Sequence, residues 1–358
     1  MTSYYCTYFD ANYLIKALAL FESLEQQETC EYRVFAICMD ELSRVLLTRL
    51  AVPNVECVPM HAVERHDLAL LAAKKDRSVV EYYWTATPSV VLWLLEQHPD
   101  IDLLTYVDAD LYFYSSPQAI RDELGDGSVL IHGHNFPQEM RHLEEYGKYN
   151  VGLIAFRNDE RARLVLRWWR NRCNEWCRSE PSAGRFADQK YLDEWPISFD
   201  GVHVIANPGA GVAPWNHSRY RFSRDDQDRA LVDGSPIIFY HFHSLVFANP
   251  DAIVPAKLTA YPMYLEVVNV CVLPYVHALD RARLRVLDAY GEFMFPFGLY
   301  TDNVTGPNLT LVTKKTFVEN LHSAGAPHEE IVLDQDWVVF PGTQIAPSGR
   351  TDANGDAH

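Results

Sequence analysis

The chain has 358 residues, of which 48% are hydrophobic and 13% aromatic, and it carries a formal net charge of −17. This length holds one large α/β domain or two modest ones, and the apolar content suffices for a sizeable core. The negative charge argues against a general binder of nucleic acid or acidic membranes, because such partners require a positive surface.

Cysteine usage and hydropathy bear on the compartment. The seven cysteines are odd in number and form no C-x-x-C, so nothing indicates a disulfide framework. The N-terminus shows no basic and apolar leader, and no apolar run approaches about 20 residues. We therefore expect a soluble cytoplasmic protein without a transmembrane segment; the sequence does not indicate an oligomeric state.

The first 60 residues alternate between strand-like and helix-like segments. Residues 3–9 and 32–38 are rich in aromatic and other β-prone residues, and 55–58 is a shorter segment of this kind. Apolar residues recur at helical spacing in the two intervals between them. This order of strands and helices predicts a doubly wound α/β fold.

Polar side chains stand at the first predicted turn, at Thr7, Asp10, Asn12 and Tyr13. They are candidates for contacts to a base and a ribose, although a helix cap is the simpler interpretation. No G-x-G-x-x-G follows the first strand and no G-x-x-x-x-G-K-[ST] occurs in the chain. Interpretations as a dinucleotide-binding or P-loop protein therefore lose their main support.

The next stretch, residues 63–79, is polar and mixed in charge. We expect a solvated surface there, with a phosphate-contacting loop around Arg77 as the alternative. Pro88 is tolerated at the first position of a helix, so it predicts a helix over 89–97.

The central apolar segment, residues 103–107, runs directly into Asp108 and Asp110. A continuous apolar run of this kind is typical of a strand buried on both faces of a sheet. Buried carboxylates are costly unless they bind a cation or are paired, and open α/β sheets bind ligands at the carboxyl ends of their strands. The pattern predicts a divalent metal site; a strand end with solvated acids is the alternative that this motif alone leaves open.

Polar residues also mark later elements. Gly152 lies inside a predicted strand, where a glycine often indicates close approach by a ligand or another backbone. Asp188 opens a predicted helix, either as a favourable N-terminal acid or as a functional carboxylate. A further strand, 236–243, ends in His241 and His243, which alternation places on the same side.

The last third of the chain changes in character. Beyond residue 250 the pattern is helical, residues 290–341 resemble a small appendage, and the tail from about Thr343 is polar. We expect a catalytic domain over 1–250, a helical or mixed extension over 251–342, and a disordered tail over 343–358.

The order of these motifs resembles that of GT-A glycosyltransferases, and most closely family 8, which includes glycogenin and bacterial galactosyltransferases. The resemblance covers about residues 3 to 247 and implies an α/β, Rossmann-like, nucleotide-sugar-binding GT-A fold with a mostly parallel central sheet and a helical C-terminal extension. The matching motifs in chain order are Tyr106-Val107-Asp108-Ala109-Asp110, Asn150-Val151-Gly152, Asp188-Gln189, Pro214-Trp215-Asn216 and His241-Phe242-His243.

The resemblance also implies roles for individual residues. Asp108 and Asp110 would hold the Mn²⁺ or Mg²⁺ that bridges a nucleotide diphosphate, with His241 as third ligand and His243 as the alternative. Asp188 and Gln189 would lie beside the anomeric centre of the donor sugar. The donor pocket would be completed by Asn150, Gly152, Trp215 and Asn216. Thr7, Asp10, Asn12, Tyr13 and Arg77, which are candidates from their own positions in the sequence, would join it.

Two departures from the family pattern concern the diphosphate. Ser244 stands where the family has glycine, and the Lys-Pro-Trp whose lysine contacts the diphosphate is absent. Arg219, Arg221 and Lys257 are the candidates for that contact.

The activity implied by the resemblance is metal-dependent transfer of a hexose from a nucleotide-diphosphate sugar, a UDP-sugar being favoured. The acceptor would be a glycan, lipid-linked or other hydroxyl group, as in polysaccharide biosynthesis, and the configuration would be retained.

Three other classes of protein compete with this interpretation. A non-catalytic nucleotide-sugar-binding protein is one alternative, since a fold does not guarantee its function. A phosphatase of the haloacid dehalogenase type also uses D-x-D, but near its N-terminus and followed by Thr or Val where this chain has Tyr112. A sugar nucleotidyltransferase would require a basic, glycine-rich loop after the first strand, where this chain has Asp10-Ala11-Asn12.

Overall fold

A seven-stranded sheet forms the centre of the fold. The computed structural model describes residues 2–249, 252–256, 261–291, 310–313, 331–332 and 334–340. The first eight strands, all of which except β5 belong to this sheet, are β1 (Ser3–Phe9), β2 (Tyr32–Cys38), β3 (Val55–Pro59), β4 (Leu103–Val107), β5 (Leu111–Phe113), β6 (Val129–Gly133), β7 (Tyr149–Arg157) and β8 (Val202–Val204).

The sheet is mostly parallel, as the sequence predicted. Its order is β3-β2-β1-β4-β7-β6-β8, and only β7 runs antiparallel to its two neighbours. The carboxyl ends of β1 and β4 therefore lie side by side at one edge, next to the start of β7. This edge carries the polar residues that follow β1 and β4 in the sequence.

Helices cover both faces of the sheet. In β2, Val34 and Ala36 contact the layer that contains α1 and α2, whereas Phe35 and Ile37 contact the layer of α5 and α7. The helices are α1 (Leu14–Gln27), α2 (Glu41–Leu50), α3 (Met60–Glu64), α4 (Leu68–Ala73), α5 (Val79–Gln97), α6 (Gln118–Leu124), α7 (Glu160–Glu175), α8 (Trp195–Ser198), α9 (Leu265–Val267) and α10 (Leu273–Tyr290). This alternation of side chains across a doubly covered sheet explains the near-continuous apolar strands.

Residues 60–97 are more helical than the sequence predicted. The stretch expected as a solvated surface contains α4 and the end of α3, and α5 begins at Val79 rather than at Pro88. The reason is a capping box: Ser78 Oγ accepts from the backbone N–H of Glu81 at 3.3 Å, and Glu81 Oε2 accepts from that of Ser78 at 2.9 Å. Pro88 consequently lies inside the helix.

Two small sheets follow the central one in the chain. Strand β12 (Phe239–His241) pairs antiparallel with β5 and is shorter than the predicted strand over 236–243. Ser235 and Pro236 instead belong to a separate three-stranded sheet of β9 (Phe222–Arg224), β10 (Ala230–Val232) and β11 (Ser235–Pro236).

The C-terminal region combines helix and sheet. A π-helical turn over Val268–Val272 joins α9 to α10, which packs against α1. The sheet has the order β13-β14-β15-β17-β16, formed by β13 (Val246–Asn249), β14 (Ala252–Val254), β15 (Thr310–Thr313), β16 (Ile331–Val332) and β17 (Trp337–Phe340). The predicted helical extension is confirmed, and the predicted tail lies outside the described residues.

No helix among the described residues is long and apolar enough to cross a membrane.

Candidate active site

A cleft of about 870 Å³ opens at the sheet edge where β1 and β4 end. It is lined by most of the residues that the sequence singled out, although these come from distant parts of the chain. They are Asp10, Asn12, Tyr13, Asp108, Asp110, Asn150, Gly152, Asp188, Gln189, Trp215, His241 and His243.

Asp108, Asp110 and His241 form a compact cluster in this cleft. The β5–β12 ladder pairs His241 with Leu111, the residue after Asp110. His241 Nε2 therefore lies 3.2 Å from Asp110 Oδ1 and 3.7 Å from Asp108 Oδ2. One ligand atom from each of the three side chains lies within 4.8 Å of the others.

The donor set of this cluster fits a divalent cation. Two carboxylates and one imidazole with space on the cleft side suit Mn²⁺ or Mg²⁺. The buried Nδ1 of His241 has no hydrogen-bond partner among the described residues and Nε2 is directed at the acids, so the ring presents one nitrogen to a shared site. The predicted ligands Asp108, Asp110 and His241 are thus brought together, whereas His243 lines the cleft outside the cluster.

Electrostatics within the cluster follow from burial and from these contacts. Burial raises the pKa of Asp108, against the effect of His241. For Asp110, burial is outweighed by His241 and Lys16, which hold the pKa of the carboxyl below its usual range. His241 behaves in the opposite way: burial favours the neutral ring, but the two acids raise its pKa. A proton on His241 therefore competes with a cation for this position.

Gly152 makes room for His241. A Cβ atom at residue 152 would lie 2.6 Å from His241 Nδ1 and 2.7 Å from Asn150 Oδ1. Asn150 Oδ1 accepts from the backbone N–H of Gly152 at 2.8 Å. The glycine inside β7 therefore marks a close approach, but the approaching group is the side chain of His241 rather than the ligand or second backbone that the sequence suggested.

Asp188 lies in the same cleft and is only 4% exposed. Its Oδ2 accepts a hydrogen bond from Thr87 Oγ1 at 3.0 Å, and its side chain makes no capping hydrogen bond to the 3₁₀ helix Gln189–Glu194. Burial and then the charge of Asp108 raise the pKa of Asp188 to about 8. Asp188 is thus a buried carboxyl of the cleft with the Thr87 hydroxyl as a hydrogen-bond partner.

The cleft also contains aromatic residues that sequence reasoning missed: Tyr8, Tyr83, Trp84, Tyr146 and Phe186. Tyr83 donates to Asp10 Oδ2 at 3.1 Å, and Phe186 contacts Tyr146 edge-on at 4.8 Å between ring centroids. The S-x-x-E capping box at residues 78–81 was the available signal for Tyr83 and Trp84, because it places them on a helix that leads into the cleft.

Three predicted donor residues do not line the cleft. The Arg77 guanidinium donates to the carbonyls of Asn174 and Glu175, and Thr7 is fully buried. Asn216 Nδ2 donates to the carbonyls of His134 and Gly211 at 2.9 and 2.8 Å, which supports the cleft wall from behind.

The diphosphate candidates and Ser244 are placed as follows. Arg219 donates to the carbonyl of Asn135, and neither it nor Arg221 lines the cleft. Lys257 lies outside the described residues. Ser244 adopts a φ of 62°, the left-handed region, which explains why the family pattern has glycine at this position.

Two curated proteins resemble the chain in sequence. It is 38% identical over 249 residues to the uncharacterized protein YfnF of Bacillus subtilis (strain 168), a match that covers 68% of this chain and 81% of YfnF. It is 31% identical over 245 residues to the uncharacterized protein YfnD of the same organism, covering 67% of this chain and 77% of YfnD. The chain belongs to the family of YfnF and YfnD. No protein-family profile matches this member of the YfnF and YfnD family.

The fold of this YfnF-family chain matches a solved glycosyltransferase structure. An active-site mutant of the galactosyltransferase LgtC aligns with a TM-score of 0.50 over 78% of this chain and 96% of LgtC, at 16% identity. The GT-A fold expected from the motif order is confirmed.

Proposed function

We propose that the protein is a metal-dependent glycosyltransferase that transfers a hexose from a nucleotide-diphosphate sugar to a hydroxyl acceptor. One observation carries the proposal. In a protein with a GT-A fold, the cluster of Asp108, Asp110 and His241 lines the same cleft as Asp188. The two acids follow β4, whereas His241 belongs to β12 and Asp188 precedes the 3₁₀ helix Gln189–Glu194, so three separate segments of the chain converge here. A non-catalytic binding protein would have no use for the buried carboxyl of Asp188.

Residues at different positions along the cleft have different expected roles. Asp10, Asn12 and Tyr13 offer polar and aromatic contacts for a nucleoside at one end. Asp108, Asp110 and His241 would hold Mn²⁺ or Mg²⁺, which when bound supplies electrostatic stabilisation of a departing diphosphate.

Asp188 and Gln189 would act at the donor's anomeric carbon. Gln189 Nε2 donates to the carbonyl of Tyr146 at 2.9 Å, which holds its amide in place. An ionised Asp188 favours positive charge at that carbon, either by electrostatic stabilisation or by forming a covalent glycosyl intermediate on its carboxylate. The covalent route retains the configuration by two successive displacements, in which first the diphosphate leaves and then the acceptor oxygen displaces Asp188. The electrostatic route retains it when the acceptor attacks the same face of the sugar that the diphosphate leaves.

The finer parts of the proposal concern substrates and organisation. We favour a UDP-sugar as donor and a glycan or lipid-linked acceptor, as in polysaccharide biosynthesis. The exposed Val79 and Val80, together with Trp84 and Phe186, provide an apolar wall for the acceptor. A cytoplasmic location and a catalytic domain over residues 1–250, extended by 251–342, belong to the same proposal.

The test is a panel of UDP-, GDP- and dTDP-hexoses screened for binding and hydrolysis with Mn²⁺, Mg²⁺ or excess chelator. We expect one donor to be hydrolysed only when the cation is present, with its anomeric configuration retained in the product's NMR spectrum. Asp110→Asn should abolish this turnover, whereas Asp226→Asn, an exposed acid outside the cleft, should not alter it. Full turnover in chelator would contradict the proposed metal dependence, and binding of every donor without hydrolysis or transfer would favour a binding protein.

A further inference from the structure

The cleft presents an electrostatic problem for an anionic ligand. Its walls carry the acids Asp10, Asp108, Asp110 and Asp188, and among the described residues no lysine or arginine lines it. A divalent cation at the cluster offsets the charges of two of these acids and leaves none for a diphosphate. Nucleoside diphosphates bind best where positive charge exceeds negative charge locally.

Lys16 lies directly behind this wall. It belongs to the first turn of α1, its side chain is 11% exposed, and its Nζ lies 3.9 Å from Asp110 Oδ2. The ammonium also lies 4.5 Å from the ring centroid of Tyr13, which lines the cleft. Its charge is thus held between the metal cluster and the expected nucleoside end.

Among the described residues, the Lys16 ammonium makes one hydrogen bond and one ion pair. Its Nζ donates to the carbonyl of Leu245 at 3.1 Å, whereas the distance to Asp110 exceeds that of a hydrogen bond. An ammonium has three N–H donors, and a buried lysine is rare unless it is paired. A lysine in α1 is also not needed for the apolar layer, because the neighbouring Ile15 and Ala17 already pack in the core.

We propose that Lys16 is the diphosphate-binding cation of this protein, an inference that rests on the proposed function. With Lys16, the two acids and a divalent cation leave one net positive charge for the diphosphate; without it they leave none. The same charge repels a free metal ion. Lys16 therefore lowers the affinity for the cation alone and raises the affinity for the metal-bound nucleotide.

A purely structural role makes a different prediction. As a tether, Lys16 would hold Leu245, and with it the segment that carries His241, against α1. Loss of a tether would displace His241 and weaken binding of the metal, the nucleoside and the nucleotide together. Loss of a diphosphate-binding charge weakens only the nucleotide.

The experiment measures Mn²⁺ alone, UDP with Mn²⁺, and uridine with Mn²⁺, by calorimetry and ligand-detected NMR, on the full chain. Lys16→Met should bind UDP about tenfold to a hundredfold more weakly, because one unit of positive charge is removed from behind the wall of the site. Uridine binding should be unchanged, and Mn²⁺ alone should bind at least as tightly as to the parent. Lys16→Gln, which keeps a donor for the Leu245 carbonyl without the charge, should show the same loss, and Lys16→Arg should retain most of the UDP affinity.

Lys190→Met is the matched control. The Lys190 ammonium likewise donates to a backbone carbonyl, that of Glu144, and pairs with a carboxylate, that of Asp193, but outside the cleft. It should leave all three affinities unchanged. UDP binding by folded Lys16→Met or Lys16→Gln within twofold of the parent would overturn the proposal, as would a joint loss of Mn²⁺, uridine and UDP binding. Failure of the proposed function would appear in the parent itself, as absence of metal-dependent binding of UDP, GDP and dTDP alike.

Discussion

Two carboxylates of the cleft, Asp110 and Asp188, lie in opposite electrostatic surroundings. Asp110 faces His241 and Lys16, which outweigh its burial and lower its pKa. Asp188 is buried beside the negative charge of Asp108, and its pKa rises to about 8. Environments that separate the pKa values of neighbouring acids are typical of functional sites.

Asp188→Asn tests both the charge and the role of this residue. The free carboxyl has a pKa near 3.9, so between about pH 4 and 8 the folded state binds more protons than the unfolded state. The free energy of unfolding of the metal-free parent should therefore decrease as the pH rises from about 4 to 8. The Asn variant should lack this contribution, and at pH 8 it should be more stable than the parent by an amount on the order of a few kcal/mol. Urea denaturation at both pH values measures this.

Transfer by Asp188→Asn should fall at least ~100-fold with near-normal donor affinity, because the carboxylate acts on charge that develops only in the transition state. A variant that transfers sugar at the parental rate would reject the catalytic role of Asp188. An identical pH dependence of stability in parent and variant would reject the argument from burial.

Gly152→Ala should damage the metal site through His241. The new Cβ would lie 2.6 Å from the imidazole, so the ring must shift. We expect Mn²⁺ affinity to fall about 10- to 100-fold, as for loss of a residue that orients a ligand. In the His241→Ala background the same substitution should cost no further metal affinity, and an additive loss there would show that the effect does not pass through His241.

At the level of elements, Thr87 of helix α5 lies between Asp188 and the carbonyl that Pro88 leaves without its usual helical donor. Pro88 has no N–H for the carbonyl of Trp84, and the Thr87 hydroxyl lies 3.2 Å from that carbonyl. The same hydroxyl lies 3.0 Å from Asp188 Oδ2 and 3.1 Å from the hydroxyl of Tyr8. The helix thereby positions a hydrogen-bond donor against the candidate catalytic acid.

Thr87→Val keeps the shape of this residue and removes its hydrogen bonds. A hydrogen bond to a charged group contributes about 1.5–3 kcal/mol, so the pKa of Asp188 should rise by about one unit or more. The acidic limb of the pH profile of kcat should move upward by the same amount. Thr85→Val, which removes a bond to the carbonyl of Glu81 in the same helix, should leave the profile unchanged; an equal shift in both variants would count against the connection.

At the level of the whole molecule, the C-terminal helix shares one core with the sheet. Six side chains of α10 are buried, among them Tyr275, whose ring stacks on Phe242 at 3.8 Å between centroids. The Tyr114 hydroxyl donates to the carbonyl of Cys271, and Arg281 pairs with Glu22 of α1. The region after residue 250 therefore completes the layer that covers α1 and β5.

A chain ending at residue 250 should lose cooperative folding. Each large buried side chain contributes about 1.5–3 kcal/mol, and the sum over α10 is comparable with a total stability of about 5–15 kcal/mol. Near-UV circular dichroism and urea titration would show this, and a chain ending at residue 342 should retain the parental midpoint. A cooperative transition in the shorter chain would establish residues 1–250 as an independent domain.

The sequence alone determined the fold class and most of the cleft. Apolar strands that end in polar residues identify the carboxyl edge of an open sheet, and this local pattern placed Asp108 and Asp110 there, whereas Asp188 was expected nearby only from the resemblance to family 8. Helical spacing of apolar residues also predicted α1 and α2, because burial of one face imposes a period on the chain. These inferences needed only interactions between residues close in sequence.

The tertiary structure decided what depends on contacts between distant segments. Only the β5–β12 ladder distinguishes His241 from His243 as a partner of the acids, since both alternate onto one side of a strand. Burial of Arg77 away from the cleft, and of Lys16 beside Asp110, likewise depends on which helices meet. Charge and residue type can be read from the sequence. The distance between two charges, which sets their electrostatic interaction energy, is defined only once the chain has folded.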